Sequence, residues 1–71
     1  MKTLKPQPPL FDVVAVDIST GKVAALFGEK KTEAAAEGIV KMAVMRRGVD
    51  EQFYAEVSAG KFKVGDTYTH D

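Results

Sequence analysis

The chain has 71 residues, the size of one small domain, and its 10 basic residues balance 10 acidic ones. That balance argues against a strongly phosphate-neutralising nucleic-acid binder, since such binding needs clustered lysine and arginine. With no cysteine and one histidine, the sequence excludes a disulfide framework and a structural zinc site, so packing or a partner must stabilise the fold.

The first nine residues, MKTLKPQPP, contain all three prolines of the chain. Proline fixes φ and lacks an amide donor, so we expect residues 1–9 to be a flexible, extended segment before a single domain at residues 10–69. Residues 6–9, PQPP, also match the PxxP pattern that SH3-type domains bind, but so short a match is common by chance. The sequence has neither a signal-peptide core nor a long apolar run, so we expect a cytoplasmic protein that does not span a membrane.

A β-hairpin is predicted next, because residues 11–18 and 22–27 are rich in valine and flank Ser19-Thr20-Gly21, a three-residue loop with a glycine for the left-handed position. The register set by this loop pairs Ile18 with Lys22, Val16 with Ala24, Val14 with Leu26, Asp17 with Val23, Ala15 with Ala25 and Val13 with Phe27. Both faces of this hairpin are largely apolar. A single helix covers one of them, so the other must meet the C-terminal segment, the proline-rich segment or another molecule.

Residues 32–47, TEAAAEGIVKMAVMRR, predict one amphipathic helix. Thr32 is suited to cap its N-terminus and Gly48 to end it. Laid out at the helical period, the apolar arc spans roughly 220°, more than one sheet face covers. Gly38 in the helix interior costs about 1 kcal/mol relative to alanine, which suggests that another backbone approaches there.

Beyond the helix, Asp50 resembles an N-cap, with a hydrophobic staple between Val49 and Tyr54, and predicts a short second helix over residues 51–57. Residues 61–64, KFKV, alternate basic and apolar side chains and predict a third, edge strand. The expected fold is therefore a ββαβ-type α+β domain. A three-stranded antiparallel sheet packs on one main helix, and a short second helix follows it.

The sequence offers no constellation for catalysis. His70 lies next to the last residue, where fraying is expected, and Asp12 and Asp17 fall on opposite faces of one strand. We expect Asp12 to be solvated near the strand start and Asp17 to cover the hairpin end. No nucleophile, base and orienting group can be assembled, so no enzymatic activity, metal or cofactor is predicted.

The two arginines at the end of the main helix have two interpretations. They match the negative end of the helix dipole, which is the ordinary one. Alternatively Arg46, projecting near Ile39 and Met42, anchors a carboxylate or phosphate of a partner. We predict a protein-binding module whose partner is another protein or a second copy, with candidate contact residues Val13, Ala15, Val23, Ala25, Phe27, Val44, Met45, Arg46, Arg47 and Tyr54. The alternative is a weak nucleic-acid binder that uses Lys30, Lys31, Arg46 and Arg47.

Four runs carry a resemblance to a known group of proteins: IVKMAVMRRGVD at 39–50, FY at 53–54, AGKF at 59–62 and GD at 65–66. Over roughly its last two thirds the chain resembles short uncharacterised proteins encoded in tailed-bacteriophage and prophage genomes. The resemblance includes no catalytic signature and transfers no functional residue. It implies an accessory or host-interacting role, exerted by binding, in the bacterial cytoplasm.

Overall fold

The structure, a computed structural model, describes residues 8–69. Its elements are β1 (Phe11–Asp17), β2 (Val23–Lys31), α1 (Glu33–Arg47) and β3 (Gln52–Ser58). The strands form one antiparallel sheet in the order β2-β1-β3. The predicted α+β class, with a three-stranded antiparallel sheet and one main helix, is confirmed. Most of the predicted N-terminal segment, residues 1–7, and His70 lie outside the described residues.

The central strand β1 forms the middle of the core. Val13 to Val16 are all fully buried, which fits a strand whose two faces are both covered.

No helix in the described range 8–69 is long and apolar enough to cross a lipid bilayer.

The hairpin between β1 and β2 forms as predicted, but its register is only partly right. Gly21 has φ +71°, and its amide donates to the Asp17 carbonyl over 2.7 Å. The predicted pairs Val14–Leu26 and Ala15–Ala25 are present. Irregularities in β2 shift the others, so that Val16 pairs with Val23 instead of Ala24, and Val13 pairs with Gly28 instead of Phe27. Val23 therefore shares a face with Val14 and Val16.

The helix prediction is confirmed at both ends. The Thr32 hydroxyl accepts the Ala35 amide at 3.3 Å, and the Gly48 amide donates to the Val44 carbonyl at 2.9 Å with Gly48 at φ +73°. Ala36 and Ala43, seven residues apart, are the buried residues of α1. Their small side chains let the helix lie close to the sheet.

The predicted second helix is wrong, because residues 52–58 form β3. This strand pairs with β1 without a register shift from Phe11–Ser58 to Asp17–Gln52. Phe53, Ala55 and Val57 alternate along β3 with Gln52, Tyr54, Glu56 and Ser58. This period of two is typical of a strand, and it suits pairing with the open edge of the buried strand β1. Pairing with β1 outweighs the local capping signal at Asp50, as tertiary context commonly overrides helix propensity.

The predicted third strand at residues 61–64 is also wrong. This segment is irregular, and Phe62, 7% exposed, packs into an apolar cluster with Val14, Val16, Val23 and Val57. Tyr68 packs against the same cluster, and its ring lies 5.4 Å from that of Phe62. The C-terminal segment thus covers the sheet face that α1 does not reach.

Asp12 is a buried structural residue, 3% exposed, and its predicted solvation is wrong. Its Oδ1 accepts the Lys30 amide at 2.9 Å and its Oδ2 accepts the Gly60 amide at 2.8 Å. Lys30 has φ +53°, so the end of β2 is irregular at this residue. The Lys30 amide therefore needs an acceptor other than a carbonyl of a regular strand ladder. The carboxylate joins the end of β2 to the turn after β3.

Candidate protein-binding groove

An open groove of about 520 Å³ runs between α1 and β2. Most of its lining is apolar, and two arginines belong to it. The lining residues are Phe27, Ala35, Gly38, Ile39, Met42, Ala43, Arg46 and Arg47. We call this feature the α1–β2 groove.

Aromatic side chains fix the floor of the α1–β2 groove at its arginine end. The ring of Phe27 stacks on Tyr54 with centroids 5.6 Å apart, and the Arg47 guanidinium lies 5.0 Å from the Phe27 ring centre. The Tyr54 hydroxyl donates to the Gly48 carbonyl at 3.0 Å, which ties β3 to the end of the helix. Arg47 is therefore already engaged by cation–π contact within the fold.

Gly38 of α1 and Gly28 of β2 differ in the space around them. A Cβ added at Gly38 would meet nothing within 4 Å, so the predicted close approach of another backbone is not found in residues 8–69. A Cβ at Gly28 would lie 2.7 Å from Ile39 Cδ1, so the absence of a side chain there lets Ile39 reach β2. Met42, 47% exposed, lines the groove, and Met45, 80% exposed, lies outside it on α1.

Positive charge flanks the apolar lining. Arg46 lines the groove with Ile39 and Met42, as the helical spacing predicts, and within residues 8–69 no carboxylate forms an ion pair with it. Lys30 and Lys31 lie before the N-terminus of α1, a helix about 22 Å long at 1.5 Å per residue. The four cations proposed for nucleic-acid binding therefore form two pairs near opposite ends of the helix.

The other side of α1 is acidic. Partial removal from water raises the pKa of Glu56, and the negative charges of Glu37 and Glu33 raise that pKa further. At the hairpin end, the Ser19 hydroxyl and amide both donate to Asp17 Oδ1, and these hydrogen bonds lower the pKa of Asp17. Asp17 thus covers the hairpin end, as expected from the sequence.

The structure separates the predicted contact residues into three groups by their exposure. Val13, Ala15 and Val23 are buried and present no surface to a partner. Ala25, Phe27 and Tyr54 are half-buried, and the exposed members are Val44, Met45, Arg46 and Arg47. Of the ten predicted residues, the structure places Phe27, Arg46 and Arg47 in the α1–β2 groove.

The sequence-based list lacks the other groove residues, Ala35, Gly38, Ile39, Met42 and Ala43. Their common signal is helical position: they fall on the same side of α1 as Arg46. The helical period of the sequence shows which residues share this side. It does not show which part of the side β2 leaves uncovered.

The groove combines apolar and cationic groups. It presents aliphatic, aromatic and guanidinium groups, which bury apolar side chains and attract a carboxylate. Across residues 8–69, no group of three or more histidine, cysteine or acidic side chains is arranged to hold a metal ion. No protein-family model, curated protein or solved structure matches this chain.

Proposed function

We propose that this protein is a non-enzymatic protein-binding module and that a segment of a partner protein docks in the α1–β2 groove. The observation that supports this proposal is an apolar groove on the surface of a domain whose sheet faces are both already covered. Its volume of about 520 Å³ is enough for two or three apolar side chains of a partner.

The proposed partner segment is amphipathic and acidic. Its apolar side chains would lie along Ile39 and Met42, and a carboxylate would pair with Arg46, which forms no ion pair in residues 8–69. Lys31 near the opposite end of α1 favours a second acidic residue. A second copy is less suited, because its acidic residues Glu33 and Glu37 lie on the side of the helix away from the groove.

The resemblance to phage and prophage proteins gives this proposal its setting. We infer an accessory protein that acts in a bacterial or phage-infected cell by binding a host or phage protein. The rationale is that small neutral proteins without a catalytic site act chiefly through contacts.

Selection from a displayed library of random 16-residue peptides tests the proposal. We expect the selected peptides to combine leucine, isoleucine, methionine or phenylalanine with aspartate or glutamate. Fluorescence anisotropy of labelled selected peptides then compares two variants of the protein. Gly38→Glu places a carboxylate in the groove and should weaken binding by ~10-fold or more, about 1.4 kcal/mol. Ala34→Glu is the matched control, because Ala34 is exposed on α1 but does not line the groove.

Four outcomes contradict the proposal. Selection that enriches no acidic, apolar peptide removes its basis, as does equal weakening by both variants. Sedimentation showing a dimer that Gly38→Glu dissociates would make a second copy the occupant. Salt-dependent binding of DNA or RNA that Arg46→Gln abolishes would favour the nucleic-acid alternative.

A further inference from the structure

The outer edge of β3 is a sheet margin that lies apart from the residues lining the α1–β2 groove. β3 is a margin of the sheet, and its seven residues pair with β1 in one unbroken register. A regular edge strand displays a row of backbone donors and acceptors that another strand can pair with.

The hydrogen bonds to β1 identify which residues of β3 direct their backbone N–H and C=O groups away from the sheet. The Ile18 amide donates to the Glu51 carbonyl and the Ala59 amide to the Leu10 carbonyl, so these opposed residues form hydrogen-bonded pairs. Such pairs alternate along an antiparallel ladder. The intervening residues Gln52, Tyr54, Glu56 and Ser58 therefore direct their backbone groups away from β1.

Most of these outward groups have no partner in the described part of the chain. The Ser58 carbonyl accepts the Lys61 amide at 3.0 Å, whereas none of the hydrogen bonds within residues 8–69 reaches the outward backbone of Gln52, Tyr54 or Glu56. An incoming strand could pair along three consecutive outward residues.

The opposite margin of the sheet is protected. At the start of β2, the Val23 amide donates to Asp66, the Val23 carbonyl accepts the Gly65 amide, and the Tyr68 amide donates to Gly21. Farther along, β2 has three register irregularities, and it ends in two lysines. Bulges, lysines and a covering segment are the devices that prevent edge pairing, and β3 carries neither a bulge nor a lysine.

Charge selects the kind of strand that fits. Gln52, Tyr54, Glu56 and Ser58 share the sheet face on which α1 lies, and there Glu33 and Glu37 add negative charge next to Glu56. A second copy of β3 paired across a two-fold axis would bring a second set of these three carboxylates into the same place. On the other face, Phe53 and Ala55 are half-buried against the apolar cluster.

We propose that β3 binds an extended segment of another protein by strand addition, and that this segment alternates lysine or arginine on the α1 face with apolar residues on the other face. Main-chain hydrogen bonds to Tyr54 and Glu56 hold it, and its basic side chains lie against the glutamates.

The probe is the synthetic peptide acetyl-TVKVKVT-amide, titrated into the intact protein and followed by amide NMR shifts and hydrogen exchange. In the free protein we expect the Tyr54 and Glu56 amides to exchange faster than the Phe53 and Ala55 amides, which face β1. With the peptide, the Tyr54 and Glu56 amides should become protected.

Two further peptides isolate the cause without altering the protein. Methylating the backbone nitrogens of both lysines keeps their charge but removes the donors that face β3 in an antiparallel pairing, and should reduce affinity by ~10-fold or more. The charge-reversed peptide acetyl-TVEVEVT-amide should bind at least as weakly as the methylated peptide.

Two variants of the protein test the same charge argument. Glu56→Lys should weaken binding of the lysine peptide, whereas Glu29→Lys, which changes an exposed glutamate of β2, should not.

Each contrary result overturns the proposal. Equal affinity of the methylated peptide would mean that no strand is added, and equal affinity of the acidic peptide would refute the charge argument. Shifts confined to α1 and Phe27 would place the peptide in the groove instead. A dimer in the absence of peptide, with protected Tyr54 and Glu56 amides, would make a second copy the occupant.

Discussion

Replacing Asp12 with asparagine should destabilise the domain more than its conservative shape suggests. Both carboxylate oxygens of Asp12 accept backbone amides, from Lys30 at 2.9 Å and from Gly60 at 2.8 Å. Asparagine keeps one acceptor and directs its NH₂ group at the other donor. One hydrogen bond to a charged acceptor, worth roughly 1.5–3 kcal/mol, is lost.

We expect a loss of about 2 kcal/mol in the free energy of unfolding for Asp12→Asn, because both amide donors are only part-buried and water can partly replace the lost acceptor. Asp12→Ala leaves both amides without an acceptor and should lose about 3–4 kcal/mol. A domain of 71 residues has roughly 4–11 kcal/mol in total. The alanine variant therefore loses about a third or more of that total, and a wild type at the low end of the range would be unfolded as the alanine variant.

Urea titration and thermal melts followed by far-ultraviolet circular dichroism measure both variants. A loss of 2 kcal/mol corresponds to a fall in Tm of about 8–16 °C for a domain of this size. Asp17→Asn is the matched control, because it removes the same charge from a hairpin carboxylate that accepts hydrogen bonds from Ser19, two residues away. If Asp12→Asn costs no more than Asp17→Asn, the carboxylate does not join β2 to the turn after β3.

Four further changes test other parts of the fold. Gly38→Ala should stabilise the monomer by roughly 0.5–1 kcal/mol, since its methyl group meets nothing in the fold; a lower urea midpoint would reveal a contact at that position. Phe62→Ala should cost about 3 kcal/mol by urea titration, because the residue is buried in the cluster under the C-terminal segment, and a neutral result would mean that this segment does not cover the sheet. Phe27→Asp should reduce cooperative unfolding, since it removes the ring stacked between α1 and β3; a variant that unfolds normally but no longer self-associates would place Phe27 at an interface between copies. Glu56→Gln should raise stability at pH 7, and this gain should vanish below pH 4.5, the usual pKa of a glutamate, because wild-type Glu56 is then protonated in both states. A gain that persists in acid would show that charge is not its cause.

Local chemistry explains what could be predicted from the sequence. The ends of α1 depend on Thr32 and Gly48, which act within one turn of the helix, and both function as expected. The hairpin loop likewise depends on Gly21. The register of β2 on either side of Ala25 and Leu26 could not be predicted, because it depends on contacts distant in sequence. Ile39 packs against Gly28, and Asp12 binds the Lys30 amide.

β3 shows why local signals mislead in a chain this short. Asp50 and the aromatic pair that follows it are compatible with a helix, and nothing within ten residues contradicts that interpretation. The deciding feature is the open edge of β1, which lies 45 residues earlier by the Asp12–Val57 pairing. That edge gains a full ladder of hydrogen bonds only if residues 52–58 are extended. The same pairing displaces residues 61–64 from the sheet and leaves Phe62 to cover its second face.

The location of the groove that we propose as a binding surface follows from that rearrangement. The sequence has two apolar hairpin faces and one main helix, and so indicates that the second face meets the C-terminal segment, the proline-rich segment or another molecule. In the structure, α1 covers the face of Val13 and Ala15, while the C-terminal segment covers the face of Val14 and Val16. On α1, Met42, Val44 and Met45 remain exposed, whereas Val13 to Val16 of the hairpin are buried. β2 has three register irregularities, and Phe27 is the residue of that strand that lines the groove. The side of α1 that carries Arg46 is therefore largely uncovered there, and apolar and cationic groups share one open surface.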